Sequence, residues 1–161
     1  MTNLKVDFYL RLILIISLVS IISAYFIEYV LGHQPCNLCL IERIPYGLSI
    51  ILITLNYFFK KIEKFIILLL ILTFSFSFAI SVYHLGIEQG LFEESAVCGL
   101  KNTTGIISKE EILKQLQEKS VSCKDVTFRI FGLSLTSINI ILSLILISLL
   151  TKIYNSYEKN K

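Results

Sequence analysis

The chain has 161 residues, 55% of them apolar and only 17% charged, with a mean hydropathy of +0.74 and a formal net charge of +3. Soluble domains carry about 45–50% apolar and about 25% charged residues, so the composition speaks against a soluble enzyme. The basic residues are scattered between apolar runs rather than gathered on one face, which argues against a nucleic-acid partner and makes the charge a signal of membrane orientation.

Four windows are nearly free of Asp, Glu, Lys and Arg, and each approaches the ~20 residues that a helix needs to cross about 30 Å of hydrocarbon. They run over 12–31, 44–59, 65–84 and 130–151. The second is short for a crossing, which moves its start back to Leu38 or Cys39 and leaves Glu42 and Arg43 at the interface. The fold class expected is therefore all-α: a four-helix transmembrane bundle, a single domain over 1–161 with wet loops at about 32–43 and 85–129. The first window continues apolar beyond Ala24 through Tyr25, Phe26 and Ile27, which suits a retained span better than a cleaved signal peptide.

Serial crossing places both termini and the turn at 60–64 on one side and both loops on the other. Lys5, Arg11, Lys60, Lys61, Lys64, Lys152, Lys159 and Lys161 hug the membrane on the terminal side, whereas most basic residues of the other side lie in the long loop. Dense flanking charge sets orientation, so both termini of a multi-pass membrane protein are expected in the cytoplasm, with the loops facing outward into a compartment where disulfides persist. Within the long loop, Ser108-Lys109-Glu110-Glu111 reads as a capping box that starts an amphipathic helix at 109–118. The sequon Asn102-Thr103-Thr104 is read as coincidence.

All four cysteines fall in the two loops and none in a span. An even number on an oxidising side argues for two disulfides, Cys36–Cys39 and Cys98–Cys123. The first would close a ring too small to constrain much chain entropy, whereas a Cys-x-x-Cys ring is suited to thiol–disulfide exchange. By spacing alone the second pair is equally reasonable as a structural bridge. Cys39 sits near the expected helix start and Arg43 follows one turn later, and both features favour a thiolate at Cys39. The plain alternative for Arg43 is an interfacial anchor. A four-cysteine zinc site would show two close pairs and only one is present, so no metal is expected.

The string Gln34-Pro35-Cys36-Asn37-Leu38-Cys39-Leu40-Ile41-Glu42-Arg43 resembles the Pro-Cys-x-Leu-Cys-x-x-x-Arg signature of the DsbB family. Tyr83-His84-Leu85-Gly86-Ile87-Glu88, and Cys123-Lys124-Asp125 leading to Phe131-Gly132-Leu133-Ser134, are similar to the corresponding stretches of that family, so the likeness covers essentially the whole chain. The resemblance implies a disulfide-generating thiol:quinone oxidoreductase that reoxidises a periplasmic DsbA-like thiol oxidase. Electrons would pass to ubiquinone or menaquinone in the membrane pool, and from there to the respiratory chain. It further implies that the partner forms a mixed disulfide through Cys98, that Cys123 then attacks Cys36, and that Cys39 is released beside the quinone with Arg43 assisting. His84 matches a histidine near the quinone head group, and Glu42 is assigned no chemistry.

Three other readings compete. A paralogue serving one dedicated client oxidase would look the same at this level. Vitamin K epoxide reductase-like proteins place the quinone-side Cys-x-x-Cys after the shuttle pair, the reverse of the order here, and a tetraspanin-like scaffold would carry Cys-Cys-Gly where this chain has only Cys98-Gly99. A reporter fused after Lys161 is expected to behave as cytoplasmic and one inserted near Asn102 as periplasmic. Activity of both on the same side would contradict four crossings.

Overall fold

The computed structural model describes residues 2–94, 98, 122–124, 128–130 and 132–159, so the surface helix expected at 109–118 and the sequon lie outside the described residues. Helix α1 spans Thr2–Tyr29, α2 Asn37–Ile41, α3 Ile44–Phe58 and α4 Glu63–Glu88, the last entered through a 3-10 turn at Lys60–Ile62. Two short strands, β1 (Arg129–Ile130) and β2 (Leu133–Ser134), precede α5, Leu135–Lys159. Among the described residues four spans are long and apolar enough to cross a membrane, with α2 and α3 together making the second. The molecule is a four-helix bundle in which α4 packs on α3 and α5, and α1 packs on α3.

Three local departures from the expected spans shape the site. The second span is broken rather than continuous, because Pro45 has no N–H to give the carbonyl of Ile41, so α2 ends and Glu42 and Arg43 occupy the turn before α3. The third span runs one turn beyond His84. It closes where the N–H of Leu91 reaches the carbonyl of Gly86 (2.8 Å), with Gly90 in the left-handed region at φ +73°. That extra turn sets Glu88 on the same helix face as His84. The fourth span starts at Leu135, not near Ile130: residues 129–134 form an antiparallel pairing, Arg129 with Ser134 and Ile130 with Leu133, around Gly132 at φ +83°. Ser134 then caps α5, its Oγ accepting from the N–H of Ser137 (3.3 Å).

Burial follows helical periodicity. Leu10, Ile13 and Ser17 of α1, Tyr46, Ser49 and Ile53 of α3, and Ile67, Leu70, Phe74, Ser77 and Ser81 of α4 face inward, while Ile15, Ile22, Phe26, Phe65, Leu72 and Phe76 remain exposed. Exposed apolar side chains suit a lipid solvent, which gives helices no hydrophobic reason to associate; close packing and small polar residues hold them instead. Ser49 donates to Ser17 (2.8 Å) across α1 and α3, and Ser143 to Ser77 (3.3 Å) across α4 and α5. Phe74, fully buried, meets the Tyr46 ring edge-on with centroids 5.8 Å apart.

Truncating a filled core position should therefore cost much more than deleting one serine bond. Phe74→Ala is expected to lower stability by about 3 kcal/mol, and Ser143→Ala by about 0.6 kcal/mol. Unfolding in detergent micelles measures both; equal losses would mean that one interhelical serine bond matters as much as a filled core position.

Candidate functional site

The site lies at the bundle end where α1 finishes, α2 begins and α4 closes. Cys36 is the N-cap of α2, in extended backbone (φ −72°, ψ 167°), and its Sγ accepts from the N–H of Cys39 at 3.3 Å. The free N–H at this helix start thus serves Cys36, not Cys39 as the spacing suggested. The two sulfurs lie 2.6 Å apart as thiols. Cys36, Cys39 and His84 offer ligand atoms within 4.8 Å of one another, and two sulfurs in contact are also placed for thiol–disulfide exchange. Hydrogen bonding from the Cys39 thiol, aided by His84, holds the Cys36 thiol below its ordinary value, against burial, which pushes the other way.

Cys98 and Cys123 form a disulfide, both cysteines buried. Tertiary packing brings them to the first pair. Cys36, Cys98, Cys123, Leu38 and Ile87 make one buried cluster, and Cys39 packs against it. Glu94 holds the second pair's loop in place, its Oε1 accepting from the Ser122 hydroxyl and from the N–H of Lys124 (3.2 Å) on either side of Cys123.

Behind Cys36 stands a polar network that sequence reasoning missed. His84, 1% exposed, places Nε2 3.5 Å from Cys36 Sγ and Nδ1 2.9 Å from Glu42 Oε1. Glu42 was expected at the interface without chemistry; the helix break instead turns it inward, 8% exposed. Its Oε2 accepts from Asn139 Nδ2 (3.1 Å), which also donates to Ser81 (2.7 Å), while the Tyr46 hydroxyl donates to Asn139 Oδ1. Thr136 Oγ1 sits 3.3 Å from His84 Nδ1 and donates to Glu88 Oε1 at 2.5 Å. One signal for Glu42 was available: a carboxylate beside an apolar span is costly unless it is paired, and so marks function.

On the other side of Cys39 is a cavity of about 330 Å³. Its walls are Val19, Ala24 and Ile27 of α1, Ile138, Asn139 and Leu142 of α5, His33 and Pro35 before α2, and Cys39, Glu42, Arg43 and Tyr46. Neither Cys36 nor His84 lines it, so His84, expected near a ligand ring, contacts the sulfur side. Arg43 does line it. Its Nη1 bonds Glu28 Oε2 (2.5 Å) and its guanidinium lies 5.2 Å from the Tyr25 ring centroid, which leaves further N–H groups for a ligand oxygen.

Two cysteine pairs packed together at the end of a membrane bundle, one thiol of the first pair facing an apolar cavity, define a membrane-embedded thiol oxidoreductase. The chain belongs to the DsbB family: the model of "Disulfide bond formation protein DsbB" matches residues 7–153. It is also similar to "Uncharacterized protein RP370" of Rickettsia prowazekii (strain Madrid E), with 30% identity over 156 residues, covering 94% of this chain and 90% of that protein. No solved structure matches it significantly. Membership makes this a multi-pass membrane protein that forms disulfides.

The Glu94 contacts predict a measurable property of the second pair. Glu94→Ala removes the anchor of the Cys123 loop, and losing about 1–1.5 kcal/mol of hydrogen bonding should make Cys98–Cys123 roughly tenfold easier to reduce. Equilibration with dithiothreitol reads this directly, and an unchanged equilibrium would show that the loop needs no such anchor.

Proposed function

We propose that the protein reoxidises a periplasmic DsbA-like thiol oxidase through Cys98 and Cys123 and passes the electrons through Cys36 and Cys39 to a membrane quinone held in the cavity, in the bacterial inner membrane. The observation that carries this reading is the packing of both cysteine pairs into one cluster while Cys39 also lines the cavity. A structural bridge would have no reason to touch a second, reactive pair. A shuttle must touch it.

The cavity suits a quinone. A planar ring with two carbonyl oxygens needs apolar walls and a few donors, and the walls offer Ala24, Ile27, Ile138 and Leu142 together with Arg43 and Asn139. A bound quinone supplies the two-electron oxidation that turns the first pair into a disulfide. In the exchange leading to it, a partner thiolate attacks Cys98 and frees Cys123. Cys123 attacks Cys36 within the cluster, breaking the Cys36–Cys39 bond, and Cys39 leaves as the thiolate on the cavity side. The partner's second thiol then displaces Cys98 from the mixed disulfide, and Cys98 attacks Cys123, which re-forms Cys98–Cys123 and releases Cys36, leaving the first pair as a dithiol. Arg43, steered by Glu28 and Tyr25, holds positive charge at the cavity wall, where it favours negative charge on Cys39 and on a carbonyl oxygen. The quinone reads as either ubiquinone or menaquinone, since apolar walls and a guanidinium accept both.

With a reduced DsbA as the probe, Cys123→Ser is expected to accumulate a mixed disulfide and Cys98→Ser to form none. Equal trapping by both would reverse the roles or return the pair to a structural bridge.

Arg43→Ala should reduce quinone kcat/KM by about ten- to hundredfold, the worth of a charge-assisted hydrogen bond, while Arg43→Lys keeps substantial turnover with a raised KM. Wild-type kinetics per folded molecule in Arg43→Ala would make Arg43 an anchor only.

A further inference from the structure

Turning the Cys36, Cys39 dithiol into a disulfide breaks two S–H bonds and forms one S–S bond. Two electrons and two protons leave, and a quinone that takes both becomes a quinol, its two carbonyl oxygens now hydroxyls. Cys39 lines the cavity and can release its proton there. Cys36 does not line it, so its proton needs another route.

We infer that Cys36, His84 and Glu42 form a proton path from the Cys36 thiol to the cavity, with His84 as the base and Glu42 as the relay. The inference rests on the quinone reading of the cavity. His84 Nε2 is 3.5 Å from Cys36 Sγ, His84 Nδ1 is 2.9 Å from Glu42 Oε1, and Glu42 itself forms part of the cavity wall. The proton enters the ring at one nitrogen and leaves from the other.

The neighbours of the ring assign its tautomer. Glu42 faces Nδ1 as an acceptor, and Thr136, whose hydroxyl proton goes to Glu88, can offer Nδ1 only its oxygen. Two acceptors at Nδ1 require the proton there. The lone pair of Nε2 is then directed at the Cys36 thiol, where a base must be. Asn139 fixes the far oxygen of Glu42 from α5, so the carboxylate is held between ring and cavity.

Other ionisable groups bear on this path. Glu88 approaches Nε2 from the same helix at 3.9 Å, and Cys39 contacts Cys36, while Arg43 is engaged by Glu28. Glu88 is the rival exit, but it is farther from the ring than Glu42 and does not line the cavity. The shorter contact leads to the cavity.

Two measurements on the full-length protein in detergent test the path. In a Cys39→Ser, Cys98→Ser, Cys123→Ser background Cys36 is the one remaining thiol, and its alkylation by iodoacetamide is followed against pH without quinone. His84→Asn should slow alkylation at neutral pH about tenfold and move the profile to higher pH by about one unit; Glu42→Gln should act in the same direction. With all four cysteines present, the pre-reduced protein is mixed with a short-chain ubiquinone. Glu42→Gln should slow single-turnover reoxidation by about tenfold or more and enlarge its solvent isotope effect, with Glu42→Asp recovering part of the rate. Should Glu42→Gln not fold, Glu42→Asp alone must show a reduced rate and a shifted pH profile. An unchanged alkylation profile in His84→Asn overturns the base, and loss of rate in Glu88→Gln but not in Glu42→Gln overturns the relay. A wild-type dithiol that the quinone fails to oxidise overturns the quinone reading itself, and the alkylation profiles separate that failure from a broken path.

Discussion

The hydrogen bond between His84 and Glu42 is the contact on which the active end of the molecule depends. An imidazole and a carboxylate brought into an apolar bundle are costly unless each meets a partner, and removing one partner of such a pair typically costs about 3–5 kcal/mol. Satisfying both constrains three elements at once. The chain must break after α2 to turn Glu42 inward, α4 must carry His84 to it, and α5 must present the Asn139 amide to the far carboxylate oxygen and the Thr136 oxygen to the ring Nδ1. Tyr46 and Ser81 in turn hold Asn139, so the network extends across α3, α4 and α5.

This arrangement divides labour between two thiols that are three residues apart. Cys36, as the cap of α2, accepts from the helix N–H, contacts the Cys39 sulfur and the imidazole Nε2, and shares a cluster with the second cysteine pair. Cys39, one turn on, faces the cavity and Arg43. A Cys-x-x-Cys motif at a helix start necessarily separates its sulfurs in this way, because one residue caps while the other lies within the first turn. What the environment adds is a base on one side and a cation on the other.

Lipid as solvent explains why polar residues recur through the interior. In water the apolar face of a helix turns inward; here bulky apolar side chains point outward and serines line the helix contacts, since only close approach and internal hydrogen bonds reward association. The same logic holds at the cysteine end, where the buried His84 and Glu42 take hydrogen bonds from one another and from α5.

How much of this was legible in the chain varies with the range of the interaction. Apolar runs of spanning length, the placement of every cysteine outside them and the string around Cys36 and Cys39 are local properties, and they sufficed for four spans, two cysteine pairs and the family. Span ends were less legible. Pro45 breaks the second span, and the fourth, capped by Ser134, starts at Leu135, five residues later than hydropathy alone suggested, because hydropathy averages over the single residues that start and stop helices. The partners of the reactive groups were not legible at all. That Glu42 is buried against His84, that Arg43 is held by Glu28 and that both cysteine pairs share one cluster are decided by helix rotation and packing between residues 15 to nearly 100 positions apart. No periodicity within one helix encodes which face of another it will meet, so the sequence determined the chemistry available and the tertiary structure decided which atoms perform it.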